Sequence, residues 1–362
     1  MMRVFWYSAP MKKNVFVGLS GGVDSAVSAA LLQERGYDVT GVFIKIWQPE
    51  FIECTWREDR LDALRVAAAL GIPFREIDLS EEYKRDVIEP MIADYARGIT
   101  PNPDVLCNKY VKFGHFAKWA LGEGAEYVAT GHYARTRTED NRVLLVRGVD
   151  AQKDQSYFLH RIESDMLARA IFPVGDICKS EVRAHADRFG LPVAKKPDSQ
   201  GLCFVGDITM KDFLGRYLTL VPGDVLDVNG TVIGVHDGAA LYTRGQRHGF
   251  RAEGGVQYVV DVDIARNVIR VSSDRADTMV SRVTLTDVHW IDTVTPPLDI
   301  EIQTRYREAS IRALVPVSVD DSTNVIFSEP HIVSPGQSLV VYDREVCLGG
   351  GIIGISTARH CY

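Results

Sequence analysis

The chain has 362 residues, of which 46% are hydrophobic and 25% charged, with a formal net charge of -7. That length suits two or three domains of ordinary soluble composition, and no run approaches the roughly 20 apolar residues of a membrane helix. The acidic balance argues against broad, non-specific nucleic-acid binding, which wants a basic surface, although a local basic patch can sit on an acidic protein.

The opening MMRVFWYSAP is shorter than the roughly 15–30 residues of a secretory signal. Residues 1–11 are therefore read as an N-terminal extension, with Met11 itself a candidate start, and the chain is expected in the cytoplasm. The first structured stretch is Val15–Ser25, VFVGLSGGVDS. A short apolar strand ends in a loop of Ser20, Gly21 and Gly22, and a helix begins at Val23. Strand, glycine loop and helix cradle phosphate, because glycines let backbone N–H groups approach and the helix N-terminus is electropositive. The glycines alone would fit a plain strand-to-helix turn equally well. The loop is neither a Walker A motif, which needs a Lys-Ser/Thr pair, nor the dinucleotide G-x-G-x-x-G.

Strands are expected at Val15–Leu19, Val39–Ile46, Phe74–Leu79 and Tyr127–Ala129. Helices are expected at Val23–Arg35, Leu61–Leu70, Glu81–Arg97 and Val111–Leu121. Their alternation predicts a doubly wound parallel sheet, with ligands at the carboxyl ends of its strands. Ile44 ends the second strand and either packs on a nucleotide base or belongs to the core. Gly131 follows the fourth, where a glycine permits close approach. Arg135–Arg147 reads as a hairpin added after the sheet, Lys153–Leu159 opens a helical stretch, and Lys179–Phe189 is a helix.

From about residue 207 the chain changes character. After a helix at Ile208–Leu218, short alternating runs at Asp224–Val228, Thr231–Val235, Gln257–Asp263 and Val268–Ser272 predict a small β-rich domain to about residue 280. Runs at Asp299–Tyr306, Ile311–Pro316, Asn324–Phe327, Ser338–Tyr342 and Glu345–Ile355 predict a C-terminal β-barrel over 281–362. Residues 12–206 form the catalytic domain. The β-rich regions carry no catalytic constellation of their own, which leaves scaffolding and substrate binding both open.

Six cysteines without C-x-x-C or zinc-finger spacing suggest neither a disulfide framework nor a metal site. Two have distinctive surroundings. Cys107 follows Thr100-Pro-Asn-Pro-Asp104, which its two prolines should keep from being helical, so a helix is expected to start near Cys107. A cysteine there has its thiolate stabilised by free N–H groups and the macrodipole, against the alternative of a buried structural thiol. Cys203 lies in a polar loop between Gly201 and Gly206, placed to move as a sulfur carrier or redox partner must, or else incidental. Two thiols beside a phosphate loop point to sulfur chemistry.

Taken whole, Ser20-Gly-Gly-Val-Asp24-Ser25 resembles the pyrophosphate loop of the N-type ATP pyrophosphatases (PP-loop). Together with TPNPDVLCNKYVKFG at 100–114, ATGHYAR at 129–135, KDQSYFL at 153–159, KPDSQGLCFVG at 196–206 and RYR at 305–307, the chain resembles the tRNA-specific 2-thiouridylases from about residue 12 onward. The resemblance implies an adenine-nucleotide α-hydrolase-like domain, a central domain and a barrel. It implies conversion of the wobble-uridine C2 oxygen in a tRNA anticodon loop to sulfur, using ATP and Mg²⁺, without a resident metal site. Gly18, Leu19, Ser20, Gly21, Gly22, Val23, Asp24 and Ser25 would form the phosphate loop, with Ile44 and Gly131 near the adenosine. Asn102, Pro103 and Asp104 would contact the target base, and Asp104 would belong to the catalytic set. Cys203 would carry a persulfide received from a cysteine-desulfurase relay protein. Cys107 would release or resolve that sulfur through a transient disulfide. His132, Lys153, Asp154, Gln155, Arg305, Tyr306 and Gln337 would contact tRNA. Only Cys54 stands where members often carry paired cysteines, so it is assigned nothing. Two rivals share the loop: an amidotransferase-type synthetase, which needs no cysteine pair, and a nucleotide sensor, which needs no turnover.

Overall fold

The computed structural model describes residues 12–51, 56–198, 208–294, 298–316 and 323–354. The first sheet is parallel, in the order β3-β2-β1-β4-β7, with β1 Asn14–Gly18, β2 Asp38–Lys45, β3 Phe74–Asp78, β4 Tyr127–Ala129 and β7 Ala170–Ile171. Central β1 has Val15 and Val17 wholly buried and Phe16 nearly so, as a strand covered on both faces requires. Helix α1, Val23–Glu34, buries Val23 and everything from Ser25 to Leu32. It lies between the sheet and a later helix, which is why Ala and small polar residues ring it. α2 spans Trp56–Leu70, α3 residues 80–96 and α4 residues 103–122. The expected strands and the helices at 23–35 and 81–97 are found within a few residues of their ends, whereas α2 and α4 begin five and eight residues before the expected Leu61 and Val111. The two-residue β7 is new; a segment that short has no periodicity to read.

α4 differs from expectation in one consequential way. It begins at Pro103, with Asn102 as its cap accepting a hydrogen bond from the Val105 N–H at 3.4 Å. Proline is unsuited to a helix interior but suited to its first position, where its missing N–H has no partner to lose. From Cys107 to Phe116 the helix is π-helical, and it returns to α geometry at Ala117–Gly122.

The second sheet runs β10-β9-β8-β12-β11, from β8 Gly223–Leu226, β9 Val232–His236, β10 Arg251–Ala252, β11 Tyr258–Asp263 and β12 Val268–Ser272. Its core is Val225, Val259, Ile269 and Val271. The third is antiparallel: β13 Met279–Trp290, β14 Leu298–Gln303, β15 Ile311–Val315, β16 Thr323–Ile332, β17 Ser338–Asp343 and β18 Val346–Ile353. β13 pairs with both β16 and β18, which closes these six strands into a barrel. β13 is the longest strand and was not expected. Its buried Val283 and Leu285 are diluted by polar neighbours, and two bulges break its alternation.

The hairpin at 134–147 also belongs to this third sheet. β5 Ala134–Glu139 and β6 Arg142–Arg147 meet at a turn whose Asp140 and Asn141 have φ of 49° and 62°, and β6 pairs with β18 of the barrel. It is thus the splice between the parallel-sheet domain and the barrel rather than a free addition. Arg147 closes the splice. Its guanidinium donates to Asp154 and Gln303, both at 3.1 Å, and to Ser310 at 2.7 Å, and it lies 3.5 Å from the Tyr342 ring centroid. Asp154, 9% exposed, also accepts from the Gly148 and Ser156 N–H groups and the Ser156 hydroxyl.

Truncating Arg147 to Ala leaves a buried carboxylate without its cation. We expect a loss of about 3–5 kcal/mol, read as a lower midpoint in urea unfolding followed by tryptophan fluorescence; an unchanged midpoint would mean that Asp154 is satisfied without it. A second expectation concerns acid. His160 is fully buried, donates Nδ1–H to the Tyr157 carbonyl at 2.9 Å, and is pushed down to about 3 by desolvation. The unfolded chain takes up a proton below about 6.5 that the folded chain refuses, so stability falls with pH between about 6.5 and 3, by up to about 1.4 kcal/mol per unit. A His160→Gln variant should show a shallower acid limb in urea titrations between pH 6 and 4, and an identical slope would remove His160 from the account.

Candidate active site

The carboxyl ends of β1, β2 and β4 converge on the Ser20–Gly22 loop. Only Gly21 in this loop needs a left-handed conformation, at φ +76°, and a side chain there would also strike the Asp59 backbone of α2. Ser25 braces the turn: its hydroxyl accepts from the Ser20 N–H at 3.2 Å and donates to the Gly22 carbonyl at 3.1 Å. Gly22, the N-cap residue of α1, offers no side chain to the helix's first turn. The N–H groups there face outward with the positive end of the macrodipole, an anion site by construction. Leu19 and Val23 are buried, so they contribute backbone only, while Ser20 is exposed. Gly18 lies in ordinary contact with Ile44, 3.6 Å from where a Cβ would stand. Gly131 is required by the helix. A Cβ there would lie 2.7 Å from the Ser25 nitrogen, so β4's exit and α1's first turn are in backbone contact.

Asp24 points back over this loop. It accepts from the Tyr133 hydroxyl and from Lys179 Nζ, both at 2.7 Å. Burial, and then the Asp24 charge, push the Tyr133 phenol far above its usual range, so it stays a donor. Lys179 opens α5, Lys179–Arg188, and its ammonium also lies 2.9 Å from Asp198. Asp198 collects Lys153 at 2.9 Å and Arg183 at 2.6 Å as well. Although desolvation opposes it, these cations hold its carboxyl well below the ordinary carboxylate range. A chain of alternating charges thus runs from the phosphate loop to residue 198.

The second half of the site is the start of α4. Gln337 of the barrel donates both amide hydrogens to it, to the Thr100 carbonyl at 2.8 Å and the Pro101 carbonyl at 2.9 Å. Thr100 also hydrogen-bonds Thr243 of the central domain. Asn102, Pro103 and Asp104 therefore sit at a junction of all three sheets. Cys107 is buried at 8% exposure, one turn into α4, and its N–H is taken by the Asp104 and Pro103 carbonyls. This corrects the expectation of free N–H groups beside the thiol, because the helix starts four residues earlier. Burial lifts the Asp104 carboxyl above the usual range, and Lys112 pulls it back. His132 is also buried, between Thr130, Lys112 and the Phe113 and Phe172 rings.

Comparison with known proteins agrees along the whole chain. Residues 13–207 match the family described as tRNA methyl transferase HUP domain, 211–273 the tRNA methyl transferase PRC-barrel domain, and 280–353 the aminomethyltransferase beta-barrel domain. The tRNA-specific 2-thiouridylase MnmA of Actinobacillus pleuropneumoniae serotype 3 is 45% identical over 94% of this chain and 92% of its own length. That of Haemophilus ducreyi is 44% identical over 96% and 94%. That of Escherichia coli O139:H28 is 44% identical over 94% and 96%. The chain belongs to the tRNA-specific 2-thiouridylase family.

In this thiouridylase fold the residues expected to touch tRNA divide into two groups. Lys153, Arg305 and Tyr306 share one surface: Tyr306 stacks on Phe158 at 4.5 Å and its hydroxyl donates to the Lys153 carbonyl at 3.5 Å, while Arg305 is exposed and donates to Ser334 at 3.0 Å. Asp154, Gln155, His132 and Gln337 instead spend their polar groups internally; Gln155 accepts from the Tyr133 N–H at 3.0 Å. Cys203 and Cys54 lie outside the described residues. Tyr133 and Lys179 were not singled out from the sequence. Lys179 did leave a signal, since a lysine at a helix's first position opposes the macrodipole and implies an anion nearby.

These contacts generate a prediction. Asp24→Ala should abolish pyrophosphate release from ATP while the circular dichroism and melting curve stay near wild type, and Lys179→Met should lower the release at least about tenfold. Undiminished release by either variant would remove that residue from the phosphate site.

Proposed function

We infer that this chain thiolates the C2 position of the wobble uridine in tRNA anticodons at the expense of ATP. The reading is supported by a glycine loop at a helix N-terminus and a Cys107-bearing helix start in the same domain, in a chain 45% identical to a 2-thiouridylase over 94% of its length. The loop binds the ATP phosphates. The uridine C2 oxygen attacks the α-phosphorus, pyrophosphate leaves, and C2 now bears AMP as leaving group. Single-stranded anticodon bases are readily splayed into such a cleft. Asn102, Pro103 and Asp104 receive the base, and the Lys153–Arg305–Tyr306 surface holds the tRNA backbone and neighbouring bases. His132, Asp154, Gln155 and Gln337 shape that surface from behind.

Sulfur comes from a Cys203 persulfide, loaded by a cysteine-desulfurase relay protein. Its terminal sulfur attacks C2 and AMP departs. The Cys107 thiolate then attacks the Cys203 sulfur, so the sulfur–sulfur bond breaks, 2-thiouridine is released and a Cys107–Cys203 disulfide forms. Oxidation of the two cysteine sulfurs to the disulfide supplies the two electrons that reduce the sulfane sulfur, and a thiol reductant resets the pair. Mg²⁺ suits this site as an ion carried in with the phosphates. Among the described residues no three His, Cys, Asp or Glu side chains cluster to cage a metal, and Asp24 is the carboxylate at the loop. It would neutralise phosphate charge there. Residues 12–206 would carry catalysis, with 207–280 and 281–362 positioning the tRNA. A tRNA substrate places the work in the cytoplasm.

The test is mass spectrometry of nucleosides from unmodified tRNA incubated with protein, ATP, Mg²⁺ and a persulfide source. We expect 2-thiouridine with wild type and none with Cys203→Ser, which should still form AMP and pyrophosphate. Pyrophosphate without thiolation by wild type, from a sulfur source shown to be competent, would favour the amidotransferase-type rival.

A further inference from the structure

Cys107 begins a ten-residue π-helical stretch, Cys107–Phe116, set between α-helical segments. π turns are uncommon and concentrate at functional sites, because the widened turn re-aims the side chains that follow. Here the re-aiming can be followed. Asp104 and Lys112 are eight residues apart. On an unbroken α-helix that spacing would set them about 80° apart around the axis. A π segment closes i to i+5 and turns less per residue, which swings Lys112 back toward the Asp104 face. Helical side chains lean toward the N-terminus, so the long lysine reaches back along that face.

The structure shows where the ammonium arrives. Lys112 Nζ lies 3.3 Å from His132 Nε2, while His132 Nδ1 lies 2.7 Å from the Thr130 hydroxyl. An ammonium can only donate, so Nε2 accepts, and the ring proton sits on Nδ1 and is donated to Thr130. The same ammonium is the one charged group, among the described residues, that bears electrostatically on both Asp104 and His132. It pulls against the desolvation that would neutralise Asp104, and adds to the desolvation that keeps His132 neutral.

We propose that Lys112 is a positioning residue of the thiolation site: brought round by the π turn, its ammonium donates to His132 Nε2 and fixes the ring as the neutral Nδ1–H tautomer that donates to Thr130. The assignment of a role in turnover rests on the function proposed above. The placement of charge and proton does not, and it can be read without turnover.

The test compares wild type with Lys112→Met, which keeps the aliphatic stem, and Lys112→Arg, which keeps the charge. With ¹⁵N-labelled histidine, wild-type His132 should show the Nδ1–H shift pattern and no titration down to pH 5. In Lys112→Met, which removes the donor at Nε2, the pattern should relax toward a mixture with the Nε2–H tautomer, and Lys112→Arg should restore the wild-type pattern. In single-turnover thiolation, Lys112→Met should slow the rate about tenfold with the KM for ATP unchanged, and Lys112→Arg should restore it. An unmoved His132 spectrum overturns the charge placement whatever the activity. A moved spectrum with an unchanged rate overturns the role in turnover alone. If wild type forms no 2-thiouridine, the spectra still decide the structural claim, and the proposed function fails separately. A melting curve for Lys112→Met identifies a variant that has merely failed to fold, in which case Lys112→Gln is substituted.

Discussion

The Asn102–Cys107 half of the site depends on where α4 starts, and a barrel residue holds the segment before that start with two hydrogen bonds. Gln337 donates one amide hydrogen to Thr100 and the other to Pro101. Gly336 beside it leaves room for nothing larger, since a Cβ would collide with Ile99 and the Thr100 carbonyl. The Thr100 N–H returns a bond to Pro335 at 3.2 Å. A segment with two prolines has few N–H groups with which to hold itself, so its position must be imposed from outside. The barrel imposes it, and Asn102, Asp104, Cys107 and Lys112 inherit their places from that register.

The phosphate loop follows a different logic. Its backbone is braced locally by Ser25, but its electrostatics are long-range. A positive helix terminus would be an unbalanced charge when empty. Asp24, Lys179, Asp198, Lys153 and Arg183 form a counterbalanced series that reaches from the loop to the last residue before 199–207. Lys196 extends the same bracing to α2 through Asp59 and Asp62, both at 2.8 Å. An incoming polyanion would enter a set of cations already desolvated and oriented, and would compete with Asp24 and Asp198 for them.

Much of this was legible in the residues. The run VFVGLSGG announces a buried strand, a loop and a helix, because hydrophobic length and glycine placement are local properties. The start of α4 was misread because two prolines look like helix breakers until one of them occupies the first helical position. β13 was missed because its core-facing residues are few and its bulges destroy the period of two. Lys112 could not be aligned with Asp104 from spacing alone, since sequence does not declare a π turn. Lys179 could have been caught, as its charge runs against its position. The pattern is physical: what a stretch decides by itself can be read, whereas what a distant strand or an altered helical period decides cannot.

The splice between β6 and β18 reaches beyond the folded state. Arg135 and Glu345, which bond across it, are 210 positions apart in the chain. The parallel sheet can form early on the ribosome from nearby segments, but its hairpin edge stays unpaired until the last strand of the barrel emerges. Gln337, which sets α4, is also made late. A nascent chain of about two hundred residues would therefore carry the glycine loop without the register that Gln337 imposes on α4. The contacts that fix the start of α4 come from Pro335 and Gln337, so a chain lacking the barrel would leave that start unheld.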